Sequence, residues 1–242
     1  MYLEKIDTIN LSEIVLNRLS AMDYEKQKEN NGCSSEQLIF PVKTQEKGDK
    51  LVDRISEQEL RLLFIEEFKK LYKDLFYSIE TPTKSKFSFK KQSENSDGQS
   101  ALIDMCIFRK NNNEYQRILN IEFKNKNTSL KNIEKDILKL ISEKDDGVFI
   151  HLLKNTDRGT FCNENETGVF DKFRKSFFNS QEQWSNEHKS IQLIVISLEQ
   201  KTLIHRVLGK SDLKHLKNIF FAENGCGNIK EIKENGWGKR CL

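Results

Sequence analysis

SALIDMCIFRKNNNEYQRILNIEFKNK, residues 100–126, decides the fold. Two apolar, strand-like runs, residues 101–108 and 117–124, flank the polar turn NNNE and carry Asp104, Glu122 and Lys124. In the second run Leu119, Ile121 and Phe123 alternate with Asn120, Glu122 and Lys124, so a period of two sets the acid and the amine side by side on one face. In the first run Asp104 shares its face with Leu102, Cys106 and Phe108, apolar surroundings in which a carboxylate needs a partner. A cation would supply one.

Two carboxylates on adjacent strands suit a hard divalent cation such as Mg2+, which takes oxygen ligands and keeps several waters for a phosphate-bearing substrate. Lys124 would lie beside that cation. Such a metal polarises a phosphoryl oxygen and acidifies a bound water, while a neighbouring ammonium orients the water or offsets charge developing on the phosphate. These residue types at this spacing point to phosphodiester cleavage.

The periodicities outside the stretch agree with an α/β fold. SEQELRLLFIEEFKKLY, from Ser56, is helical, with Ser56 and Glu59 in the S-x-x-E spacing of a capping box and Leu60, Phe64, Phe68 and Leu71 as its apolar stripe. Residues 76–81 form a strand that Pro82 stops, and residues 87–89 take the hairpin further. The spacing predicts a helix over 129–142 and a strand over 147–153, parallel to its predecessor because a helix intervenes. Residues 169–178 give a short aromatic helix, residues 191–198 and 202–207 a final hairpin, and residues 211–221 a last helix.

An acid on one strand and E-x-K on the next resembles the PD-(D/E)XK nuclease superfamily, with Asp104, Glu122 and Lys124 at its motif positions and Ile103 where its name has Pro. The strict motif covers a few residues, and the agreement in element order extends over roughly residues 56–153. The resemblance implies a central mixed β-sheet flanked by helices with an α-β-β-β-α-β, restriction-endonuclease-like core. It also implies a Mg2+-dependent nuclease, with Mn2+ able to substitute. The expected activity is that of a DNA endonuclease in restriction, phage defence or repair, acting as a homodimer. Members often bring an acid from the first helix to the metal, which nominates Glu59 beside Asp104 and Glu122, with Glu66 and Glu80 as alternatives. The alternative class is a non-catalytic nucleic-acid or protein binding module on the same fold, which would have no need of acids beside phosphates.

The formal charge of +3 does not by itself imply nucleic acid, yet residues 84–131 hold ten Lys/Arg against five Asp/Glu. Lys84, Lys86, Lys90, Lys126 and Lys154 are the candidate phosphate contacts, and in KSKFSFKK, residues 84–91, phenylalanines interleave with the lysines. His151, among apolar neighbours, reads as a core histidine. Residues 1–50 read as an N-terminal helical appendage, with a helix over 12–28, and residues 51–242 as the nuclease-like domain. The end of the chain, residues 224–242, reads as a loose or partner-docked tail. Five cysteines without a CxxC pair suggest reduced thiols. No apolar run approaches the roughly 18 residues of a membrane span, and MYLEKIDTIN lacks a signal peptide's pattern, so the expected location is cytoplasmic.

Overall fold

Alternation in residues 117–124 and helical crossovers on either side of residues 146–153 lead to one sheet with helices on both faces. The computed structural model describes residues 6–22, 37–44, 51–87, 98–156, 159–220, 229 and 236–242. In chain order its elements are α1 (Thr8–Ala21), β1 (Val42–Thr44), β2 (Leu51–Asp53), α2 (Glu57–Leu71), β3 (Leu75–Phe87), β4 (Gln99–Asn111), β5 (Glu114–Asn125), α3 (Leu130–Ser142), β6 (Asp146–Leu153), α4 (Val169–Ser180), β7 (Ser190–Ser197), β8 (Thr202–Gly209), α5 (Leu216–Phe220) and β9 (Gly238–Cys241). β1 and β2 pair with each other, and β3 to β9 form a seven-stranded sheet in sequence order.

β5, β6 and β7 run parallel, as crossovers through α3 and α4 require, and the other neighbours in the sheet are antiparallel. β6 and β7 are buried at every position, the condition of strands covered on both faces. One apolar cluster joins α1 and α2 to Leu119, Ile121, Phe123, Val148 and Ile150. A second joins α3, α4 and α5 to Phe149, Leu193, Val195 and Ile204. The protein is therefore α/β, a mixed sheet between two helical layers.

α2 begins where the sequence places it. Glu59 Oε2 accepts the Ser56 N–H at 3.0 Å, and Ser56 Oγ accepts the Gln58 N–H at 3.3 Å, so two of the helix's orphan donors are satisfied. Ser56→Ala is expected to lower stability by about 1 kcal/mol, checked by urea denaturation. Its buried stripe is Leu60, Leu63, Phe64 and Phe68, whereas Leu71, at the helix end, is half exposed.

The structure departs from the sequence expectations at both ends of the chain, at Pro82 and at Cys162. α1 starts four residues earlier than its periodicity suggests, with Asp7 accepting the Asn10 N–H at its start. It is part of the core rather than an appendage: Leu11, Val15, Leu16 and Leu19 are fully buried, and Arg18 meets Glu66 and Glu67 of α2 at 2.9 and 2.8 Å. β3 runs through Pro82, because an outer strand tolerates a residue without an N–H, and a register shift between Pro82 and Lys86 follows. Of the predicted tail, residues 236–242 are docked rather than loose: β9 pairs with β8, and Trp237 stacks on Phe170 with ring centroids 4.8 Å apart, while residues 224–228 and 230–235 lie outside the described residues. Cys162 is disulfide-bonded, while Cys106 and Cys241 are free; cysteine spacing along the chain does not reveal which thiols the fold brings together. The last helix is preceded by a 3-10 turn over Lys210–His215. No helix among the described residues is long and apolar enough to cross a membrane.

Candidate active site

Antiparallel pairing of β4 with β5 reaches Met105 opposite Ile121. One step further the backbone ladder gives way to a side chain, and Asp104 Oδ2 accepts the Phe123 N–H at 2.8 Å. The strands thus separate where Asp104 and Glu122 stand. On β5, Leu119, Ile121 and Phe123 go to the α1/α2 core, so Asn120, Glu122 and Lys124 take the opposite face, as the period of two requires.

α3 completes that face. Lys139 Nζ lies 2.6 Å from Glu122 Oε1, 2.8 Å from Asp136 Oδ1 and 2.9 Å from the Leu102 carbonyl oxygen. Asp136 Oδ2 lies 2.6 Å from Lys124 Nζ. A buried chain of alternating charge, Glu122–Lys139–Asp136–Lys124, therefore links β5 to α3. α2 adds two groups from the other side: Glu57 Oε2 is 4.0 Å from Lys124 Nζ, and Arg61 lies 3.9 Å from Asp104 and 2.7 Å from Glu80. Asn125 fixes that approach by donating its amide to the Ile55 carbonyl at 2.6 Å, at the entry to α2.

Burial within the cluster is graded. The side chains of Glu122, Lys139 and Asp136 are 1%, 6% and 7% exposed, those of Lys124 and Asp104 18% and 19%, and that of Glu57 38%. Glu122 and its α3 partners form a floor, and Asp104, Lys124 and Glu57 face the mouth. A substrate would meet the mouth first.

Burial pushes the Glu122 carboxyl well above its usual range, and the nearby Asp136 charge pushes it further, against Lys139. Burial likewise raises Asp104, against the Phe123 N–H. For Lys124, burial acts to lower the pKa but is outweighed by Asp136, Glu57 and Asp104, so the net shift is upward and the amine stays an ammonium. Lys139 is raised on the same balance, between Glu122 and Asp136. A proton or a metal ion relieves the same excess of buried negative charge.

The donor set can be tested against a divalent ion. Among the described residues no three His, Cys, Asp or Glu side chains are grouped to hold a metal unaided. Mg2+ does not need three, since it commonly takes one or two carboxylates and keeps water in its remaining positions. Glu122 Oε1 and Asp136 Oδ2 are buried and meet ammonium nitrogens at ion-pair distance without hydrogen-bond geometry, so the acceptors are not saturated. Asp104 and Glu122 are two carboxylates, the number that a hydrated Mg2+ commonly takes.

The other sequence candidates are dispersed. The Glu59 carboxylate is on Ser56, in the cap, and Glu57 is the first-turn acid that approaches Lys124. Glu66 pairs with Arg18, and Glu80, with φ of 49°, pairs with Arg61. Lys84 is exposed and 3.8 Å from Asp145, in the turn after α3, and Lys86 is exposed on the outer strand. Phe87 is buried rather than available for stacking, and Lys90 lies outside the described residues. Lys126, just past β5, and Lys154, just past β6, are exposed beyond the C-terminal ends of these two parallel strands; Lys154 is 3.9 Å from Glu199.

Glu57, Arg61, Asp136 and Lys139 are the members that sequence reasoning missed. Asp136 stands three residues after Ile133 and four before Leu140, on the margin of the apolar stripe, and Lys139 follows it at i+3. That placement allows burial, but does not show what α3 packs against.

His151, opposite Lys124 in the β5–β6 register, is fully buried and bonds the Lys126 carbonyl oxygen through Nε2 at 2.6 Å. Burial lowers its pKa from 6.5 to about 4, so it is neutral at physiological pH. The unfolded chain binds the proton first as pH falls through 6.5, and the folded chain follows only near 4. Stability is therefore fully present above the unfolded value and is lost across that window, by about 3 kcal/mol in all. Urea midpoints measured from pH 7 to pH 4 should show this slope in wild type and a shallower one in His151→Gln.

No protein-family model matches this chain, and neither does any curated protein or solved structure.

Proposed function

We propose that the protein is a metal-dependent nuclease of the PD-(D/E)XK type, most simply a DNA endonuclease, with Asp104 and Glu122 as metal ligands and Lys124 as the cation at the reacting phosphate. One observation carries the reading: Asp104, Glu122 and Lys124, from neighbouring strands, share a cluster buried at its floor and open at its mouth. The order α2-β3-β4-β5-α3-β6, with β6 parallel to β5, supports a restriction-endonuclease-like core.

Mg2+ or Mn2+ held by these two carboxylates would polarise a phosphoryl oxygen and acidify a bound water. Asp104 is fixed for this by the Phe123 N–H, and Glu122 by Lys139. Lys124, held protonated by Asp136, is suited to orient water and offset charge on the phosphate rather than to take a proton. Arg61 and Glu57 frame the mouth; Lys126 and Lys154, at the edge where β5 and β6 end, are suited to the phosphate backbone. With one such cluster among the described residues, cutting both strands of a duplex calls for two copies. The test is cleavage of plasmid, linear DNA and RNA with Mg2+, Mn2+ or EDTA; metal-dependent cutting is expected, and inertness on every substrate would overturn the proposal.

A further inference from the structure

We propose that the first half of β3's outer edge is a docking surface for a second copy of this chain. β3 ends the seven-stranded sheet, and among the described residues no strand lies beside its outer side. Such an edge presents a row of backbone N–H and C=O groups, and proteins blunt it with proline, lysine or a bulge. The second half of β3 carries these devices: Pro82 lacks an N–H, a register shift separates Pro82 from Lys86, and Lys84 and Lys86 are exposed. Residues 75–79, LFYSI, carry none of them. They are uncharged, and Phe76, Tyr77 and Ile79 are 41%, 38% and 52% exposed. Apolar surface stands on both faces of the edge, since Phe76 touches Tyr115 on one and Tyr77 touches Phe68 of α2 on the other.

The occupant follows from self-complementarity. Antiparallel pairing of a strand with its own copy is reciprocal about a two-fold axis, so each copy receives what it presents. An uncharged run meets itself with no like charges opposed. Its two ends also differ in shape: Ile79 projects at one, and at the other a recess of about 350 Å3 is lined by Lys69, Tyr72, Lys73, Leu75, Phe76 and Tyr77. Pairing centred in residues 75–79 sets Ile79 of each copy against Leu75 of the other, at the rim of that recess. The axis stands normal to the sheet, so the faces that carry Asp104, Glu122 and Lys124 lie on the same side of the joined sheet. The nuclease reading calls for two copies, but the docking edge does not depend on it.

The test is sedimentation velocity of the full chain at micromolar concentrations, with circular dichroism to establish that variants are folded. Wild type is expected to sediment as a dimer. Ile79→Lys gives residues 75–79 the charge that the rest of the edge already has and sets it against Lys69 and Lys73 of the second copy, so dimerisation should weaken by at least about tenfold. Phe76→Lys should weaken it likewise and serves where Ile79→Lys does not fold. Val207→Lys, at a similarly exposed position on β8, should leave the dimer intact. A monomeric wild type overturns the proposal, as does a dimer that survives a folded lysine variant of residues 75–79 or one that Val207→Lys disrupts equally. None of these outcomes touches the nuclease reading, which plasmid cleavage tests by itself.

Discussion

Lys124→Ala is expected to lower phosphodiester cleavage by about 10²- to 10³-fold, the usual cost of removing one preorganised group that stabilises transition-state charge. Stability should change less, because the Lys124 side chain is 18% exposed and Asp136 keeps its 2.8 Å contact with Lys139. Lys124→Arg should recover little. A guanidinium at the mouth keeps the charge but cannot reproduce the compact ammonium between Asp136 and Glu57. The measurement is single-turnover cleavage under saturating Mg2+, compared at equal metal occupancy. A variant that retains wild-type rates would remove Lys124 from the chemistry.

Arg117→Met is expected to destabilise the fold by about 3–5 kcal/mol, the cost of leaving a buried charge without its partner. Arg117 NH1 meets Glu143 Oε2 at 2.8 Å, its NH2 donates to the Pro82 carbonyl at 2.9 Å, and the Glu143 side chain is 0% exposed. Glu143 Oε1 also accepts the Ser85 N–H at 3.0 Å. The pair therefore pins the shifted part of β3 to β5 and to the end of α3. Adding Glu143→Gln removes the stranded charge, so the double variant should be more stable than Arg117→Met alone. Urea denaturation of the three proteins checks this; a loss below 1 kcal/mol in Arg117→Met would show that water reaches Glu143.

The sheet and its central acids were legible because two short-range signals agreed. Alternation in residues 117–124 fixed which residues share a face, and the helix over residues 130–142 fixed β6 as parallel to β5. Pro82 misled because the rule that proline ends a strand holds for interior strands, and a sequence does not say that β3 will be the outer one. Glu59 stays in the helix cap, away from the mouth, for a reason the sequence did contain. Its S-x-x-E spacing commits the carboxylate to the Ser56 N–H, which leaves Glu57 as the first-turn acid that reaches Lys124.

Asp136 and Lys139 were hidden differently. On a helix that is charged over much of its surface, an Asp and a Lys three apart look solvated. Only the packing of α3 over the end of β5 turns them into the floor of the cluster, a long-range fact that periodicity does not carry. The same limit applies to α1 and β9, whose places in the core and at the sheet edge depend on partners far along the chain.

The most direct test incubates supercoiled plasmid with wild type and with folded Asp104→Asn, each in Mg2+ and in EDTA. Nicked or linear product is expected from wild type in Mg2+, and none from the variant or in EDTA. Cutting that persists in EDTA or in Asp104→Asn, or a wild type inert on DNA and on RNA, would contradict it.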